Sequence, residues 1–165
     1  MSKRSLSPSA ITQIAVIAAM YAALTVVLSP LSYGMIQIRL AEALMMLCVC
    51  RKQWCVALSI GCAAANLFSG MPLDVLFGSL ATVIAAFLMY RIKKPLPASL
   101  MPALVNGVII GAELYFFMEV PFWAAFIGVA VGELISVMCI GVPLLTVAAQ
   151  SDKLRKILYP SKPQP

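Results

Sequence analysis

Histidine is absent from the 165 residues, which removes the commonest general base and the commonest metal ligand. Charge is scarce, at 11% of residues, where an average soluble domain carries about 25%. The chain has no G-x-x-x-x-G-K-[ST] phosphate loop, no H-E-x-x-H and no G-x-S-x-G. ATP hydrolysis by a P-loop and the common hydrolytic chemistries are therefore excluded, and an enzyme here would have little beyond carboxylates to work with. Five cysteines (Cys48, Cys50, Cys55, Cys62 and Cys139) form no C-x-x-C pair. They read as small buried apolar residues, and a disulfide framework does not suit so apolar a chain.

What the chain has is oil. Hydrophobic residues make up 62% of it, and the mean hydropathy is +0.99. That composition is a membrane protein's, in a single domain over residues 1–165 with polar tails at 1–9 and 150–165. The net charge of +6 does not indicate nucleic acid, because the bases fall in short clusters between apolar runs, as topology signals do.

Six helical spans are expected. The first, Ala10 to Leu28, is too long for a signal-peptide core. A turn at Pro30 and Gly34 leads to a second from about Ile36 to Cys50 and a third from Trp54 to Phe68. Both are short, about 15 residues where about 20 are needed to span. Ser69-Gly70-Met71-Pro72 separates the third from the fourth, Leu73 to Tyr90. Pro95 and Pro97 interrupt the chain before the fifth, Ser99 to Met118. Glu119-Val120-Pro121 is a tight turn into the sixth, Phe122 to Ala149, with Gly141 and Pro143 as its kink. Six spans place both termini on one side, together with eleven of the twelve basic residues. The positive-inside rule makes that side the cytoplasm.

Arg39 is the exception, and it sits three residues from Glu42, on one face of a helix. Helical rise places Glu42 about 13 Å and Arg39 about 18 Å from the basic end, in a core about 30 Å thick. By the same count Asn66, Asn106, Glu113 and Glu133 are buried in the outer half or near its middle, and Asp74 opens the fourth helix at the rim. Asn106 and Glu113, seven apart, share a face that Phe117 extends. An ionisable group inside a membrane marks a functional site by default. The bland alternative is a structural ion pair, Arg39–Glu42, but four acids against one arginine is unbalanced. Such acids bind a cation, relay protons or hydrogen-bond a polar ligand. The asymmetry describes a pocket open outward with a closed floor. Tyr33, Phe77, Tyr115 and Trp123 are either an interfacial belt or, in part, a platform for a flat ligand. Ala15, Ala19 and Ala23 form a small-residue stripe that admits a close helix, inside the bundle or from a partner.

At these positions the chain resembles the QueT family, substrate-binding S components of energy-coupling factor (ECF) transporters assigned to queuosine precursors. The resemblance is carried by Ile38-Arg39-Leu40-Ala41-Glu42-Ala43-Leu44, Ala65-Asn66-Leu67, Asp74-Val75-Leu76-Phe77-Gly78-Ser79-Leu80-Ala81-Thr82, Asn106-Gly107, Gly111-Ala112-Glu113-Leu114-Tyr115, Pro121-Phe122-Trp123, Gly132-Glu133 and Gly141-Val142-Pro143-Leu144. It implies a six-helix bundle in the bacterial plasma membrane with both termini cytoplasmic. It implies a 7-deazaguanine ligand captured from outside by Arg39, Glu42, Asn66, Asp74, Phe77, Asn106, Glu113, Trp123 and Glu133. It implies no cofactor and no catalysis of its own. Delivery inward would need a membrane-embedded coupling protein, docked on Ala15, Ala19 and Ala23, and two ATPase subunits. The competing expectation is a stand-alone, proton-coupled small-molecule transporter that uses the intramembrane carboxylates.

Overall fold

The computed structural model describes residues 7–32 and 38–159. Lys3, Arg4, Tyr33, Gly34, Lys162 and the expected start of the second span at Ile36 lie outside the described residues. Seven helices organise the rest: α1 (Pro8–Val27), α2 (Leu40–Val49), α3 (Lys52–Asn66), α4 (Asp74–Ile92), α5 (Leu100–Met118), α6 (Phe122–Gln150) and α7 (Asp152–Leu158). Two single turns, Ser29–Ser32 and Pro95–Ala98, join them, and no strand occurs among the described residues. Four segments are long and apolar enough to cross a membrane: α1, α4, α6, and α5 with the turn that precedes it.

Local chemistry sets the ends. Ser7 caps α1, its side chain accepting from the Ala10 amide at 3.3 Å, and Pro8 takes the first helical position, where a missing N–H costs nothing. Lys93 and Glu119 adopt left-handed conformations that close α4 and α5, and Pro95 and Pro121 follow.

The distribution of side chains is inverted relative to a soluble protein. Ala18, Ala41, Ala57, Ala65, Ala81, Ala85 and Ala86 are buried, while Val27, Phe68, Phe116, Trp123 and Val147 stand out from the surface. Without a hydrophobic drive between helices in lipid, packing selects small residues that let backbones approach. At Gly61 a Cβ would stand 2.7 Å from the Ala18 carbonyl oxygen, so α1 and α3 nearly touch. At Gly141 a Cβ would stand 2.7 Å from the Ala43 oxygen, which brings α6 equally close to α2.

Two stretches depart from the α-helix. All ten residues of α2 are wound as a 3₁₀ helix, an unusual length for that form. Side chains three apart are stacked in such a helix, and burial follows the rule: Arg39, Glu42, Met45 and Cys48 make one buried row. The tighter winding also rises faster, about 2.0 Å per residue. Ten residues then reach about 20 Å, and the rise from Arg51 to Glu42, about 13 Å in an α-helix, becomes about 18 Å. In α6, Leu134–Gly141 is π-helical. The irregularity expected at Gly141 and Pro143 thus begins earlier, immediately after Glu133, and ends at Gly141.

The basic clusters meet at one end of the bundle. Arg51 Nη1 donates to the Ile157 carbonyl at 3.3 Å, and Lys52 and Arg91 line one groove. Gln53 of α3 donates to Gln13 near the start of α1 at 3.1 Å. The tail expected to be simply polar folds as α7 and buries Leu158 against the core. The cysteines divide: Cys48 and Cys62 are buried, Cys50 and Cys55 half-buried, and Cys139 exposed on α6. The expectation that all five are buried is corrected, because Cys139 falls on the outward face of the π-helical stretch, where an apolar thiol suits the lipid.

Gly61→Ala should destabilise the protein by about 1–3 kcal/mol, since backbone lies on the far side of the added methyl and cannot give way cheaply. A thermal melt of the purified variant in detergent checks this, and an unchanged midpoint would show that α1 and α3 part without cost.

Candidate functional site

The buried polar groups converge from five helices. Among the described residues the interior holds four carboxyl groups, Glu42, Asp74, Glu113 and Glu133, and one guanidinium, Arg39. Arg39 ends the extended entry to α2, at φ −93° and ψ 92°, so its side chain stacks above Glu42. Its Nη1 lies 4.0 Å from Glu42 Oε1. Electrostatic interactions link Arg39 to Glu113 and Glu133 as well, and Glu42 to Glu133. These residues therefore form one cluster.

Each member is held by its own helix and by a neighbour. Glu42 is fully buried, and its Oε1 accepts from the hydroxyl of Tyr21 on α1. Glu133, the last residue of α6 before the π-helical stretch, accepts from Asn106 Nδ2 of α5. Asn66, at the end of α3, donates to the Asp74 carbonyl at 2.9 Å and so bridges the turn into α4. Cys62 sits one turn earlier. Its sulfur receives Thr82 Oγ1 at 3.0 Å, Asn66 Nδ2 at 3.4 Å and Arg39 Nη1 at 3.8 Å. Glu113 of α5 is buried and interacts electrostatically with Asp74.

The partners leave a consistent remainder. Glu42 Oε2, Asn66 Oδ1, Asn106 Oδ1, both oxygens of Glu113 and Glu133 Oε2 are buried without a hydrogen-bond partner. Unpaired buried polar atoms cost about 1–3 kcal/mol each, more when charged, so a set of them in one place calls for a functional explanation.

Two openings border this set, each through one of its members. A cavity of about 470 Å³ is lined by Asn66, Gly70, Met71 and Val75. A groove of about 360 Å³ between α4 and α5 is lined by Phe77, Glu113 and Phe117. The rings of Phe77 and Phe117 lie 6.2 Å apart there.

Of the residues expected in a site, Arg39, Glu42, Asn66, Asp74, Asn106, Glu113 and Glu133 are brought into one buried region, and Phe77 borders it. Trp123 is not among them: it is 70% exposed and packs edge-on against Phe122 and Phe126. Ala15, Ala19 and Ala23 lie exposed on α1, on a separate face from the Ile14, Ala18, Tyr21 and Thr25 that pack inward. Tyr21, Cys62 and Thr82 join the network without having been expected. Tyr21 carried a signal in hindsight, as a hydroxyl-bearing ring midway along a helix of small apolar residues. No cluster of three or more metal-ligating side chains occurs among the described residues.

The family model described as "QueT transporter" matches residues 11–150. The "Queuosine precursor transporter QueT" of Lactococcus lactis subsp. cremoris (strain MG1363) is 32% identical, across 76% of this chain and 84% of its own length. No solved structure matches the chain significantly. With a family match over most of its length, long apolar helices and an interior of small and polar groups, the chain belongs to the QueT transporter family and is a multi-pass protein of the bacterial cell membrane.

Proposed function

We propose that the chain is the substrate-binding subunit of an ECF-type importer that captures a 7-deazaguanine queuosine precursor from outside and delivers it inward with a coupling protein and two ATPases. The observation that carries this reading is the gathering of unpaired acceptors at Glu42, Asn66, Asn106, Glu113 and Glu133 in one buried region. A deazaguanine base has a ring N–H and an amino group side by side on one edge. A carboxylate such as that of Glu42 or Glu133 accepts both as a bidentate pair. Arg39 serves the ring carbonyl or fixes Glu42, and Phe77 borders the cluster where a flat ring would stack. The Lactococcus relative, named as a queuosine precursor transporter, supports the ligand class.

In this reading α1 to α6 each cross the bilayer, with the faster rise of 3₁₀ α2 offsetting its few residues. Both chain ends lie on the cytoplasmic side. The convergence of Arg51, Lys52, Arg91 and α7 at one end favours that orientation. The chain has no phosphate loop, so energy comes from other subunits. The exposed Ala15, Ala19 and Ala23 offer a close-packing surface to the coupling protein.

Glu42→Gln or Glu133→Gln should each weaken binding of a 7-deazaguanine by roughly tenfold or more, the worth of a charge-assisted hydrogen bond. Isothermal titration of the detergent-solubilised protein measures it, and normal affinity in both variants would remove the carboxylates from the site. Uptake should require the ATPase partners and persist when the proton gradient is collapsed at constant ATP. Uptake by the isolated chain in liposomes, driven by a pH step, would instead identify a proton-coupled transporter. Ala19→Leu should leave ligand binding intact and reduce co-purification with the coupling protein; undiminished assembly would show that this stripe faces lipid only.

A further inference from the structure

The basic end of the bundle carries an opening of another kind. A groove of about 580 Å³ lies between α3 and α4, with Lys52 and Arg91 in its lining. The two helices bring the same pattern to it from opposite chain directions. On α3, Lys52 is followed at four-residue steps by Val56 and Ile60; on α4, Arg91 is preceded at the same steps by Phe87 and Val83. Residues four apart lie on one helix face, so each helix presents one cation and then an apolar stripe. All four apolar side chains are exposed. Eight residues of rise make each stripe about 12 Å long. That is most of the ~15 Å that one leaflet contributes to a core about 30 Å thick.

The two cations are not neutralised within the protein. Among the described residues the ion pair is Arg39–Glu42, and neither Lys52 nor Arg91 has a carboxylate partner. Arg91 is held over the groove's own wall, its guanidinium carbon 5.7 Å from the centre of the Phe87 ring. A cation–π contact of that kind still leaves the N–H donors at the guanidinium edge for an anion. Ser59 and Tyr90 add hydroxyl groups to the lining. A free phosphate would use the cations and leave the stripes uncovered. A zwitterionic lipid would cover the stripes but bring a third cation beside the first two. We propose that this groove binds an anionic glycerophospholipid, with its phosphate between Lys52 and Arg91 and one acyl chain along Val56, Ile60, Val83 and Phe87. Basic pockets between membrane helices take anionic head groups in this way. The site uses none of the buried acids, so it stands apart from the binding role proposed above.

Native mass spectrometry of the full chain, titrated in detergent with phosphatidylglycerol and with phosphatidylcholine of matched acyl chains, tests this. Phosphatidylglycerol should be retained at one molecule per chain and bind about fivefold or more tightly than phosphatidylcholine, the worth of one cation near an anionic head group. Lys52→Gln and Arg91→Gln should each cut that preference about fivefold. Lys153→Gln removes the same charge from the exposed face of α7 and should leave the preference unchanged. Val56→Trp fills the groove and should weaken both lipids. The ratio of the two affinities is internally controlled, since a loss of folding lowers both together, and a thermal melt of each variant reports it. Equal affinity for the two lipids overturns the inference, as does a preference that Lys153→Gln reduces as much as Lys52→Gln and Arg91→Gln do. Displacement of the lipid by sn-glycerol 3-phosphate at the same concentrations as by phosphatidylglycerol would assign the cations to a soluble phosphate and overturn the lipid as occupant.

Discussion

The contact on which the rest depends is that of the Glu42 carboxylate with Tyr21 and Arg39. Taking a carboxylate out of water costs several kcal/mol, and the cost is recovered only where donors and an opposite charge are in place. Tyr21 comes from α1 and Arg39 from the entry to α2, so α1 must lie close to the core for Glu42 to be buried at all. Gly61 makes that approach possible by letting α3 close on Ala18 and on the Cβ of Tyr21. Removing the side chain at one position in one helix thereby fixes the surroundings of an acid in another.

The outward and inward faces follow opposite rules, and each explains the other. Large aliphatic and aromatic groups face the lipid, where they meet an equally apolar solvent and gain little by turning in. Alanine, glycine, serine, threonine and cysteine take many interior positions beside Tyr21, Met45, Met46, Leu58 and Met89, and their small volume leaves room for a few long polar side chains. Cys62 shows how economical the interior is: a thiol that packs as an apolar group also receives donors from Thr82, Asn66 and Arg39. The network ties α3, α4 and the start of α2 together at the level where the acids meet.

Much of this was legible in the sequence, for physical reasons. Runs of apolar residues bounded by Pro, Gly and charge give the long helices to within about two residues, because both signals are local. The polar residues of the cluster were legible because an acid or amide in oil has few structural excuses. Arg39 and Glu42 at a spacing of three fit an α-helix and a 3₁₀ helix alike, so the winding of α2 was not legible, and its depth estimate changed with it. The π-helical turns after Glu133 end at Gly141, which the sequence marks as a kink, but their start at Leu134 has no local trace. Trp123 was ambiguous from the start: an aromatic near a helix start serves a membrane surface as readily as a ligand, and its neighbours Phe122 and Phe126 hold it at the surface. Tyr21 is not legible as a site residue, because one tyrosine in an alanine-rich helix reads as bulk.

The 3₁₀ winding of α2 gives the segment a mechanical property. Ten residues at about 2.0 Å of rise are about 5 Å longer than the same ten at 1.5 Å. The same ten residues wound as an α-helix would be shorter by that amount, and the row of Arg39, Glu42, Met45 and Cys48 would fan round the axis by about 60° at each step. The element that carries the central acid is thus an extended rod, held at the basic end through Arg51 and approached by Gly141 near its middle, and its reach is set by its winding as much as by its number of residues.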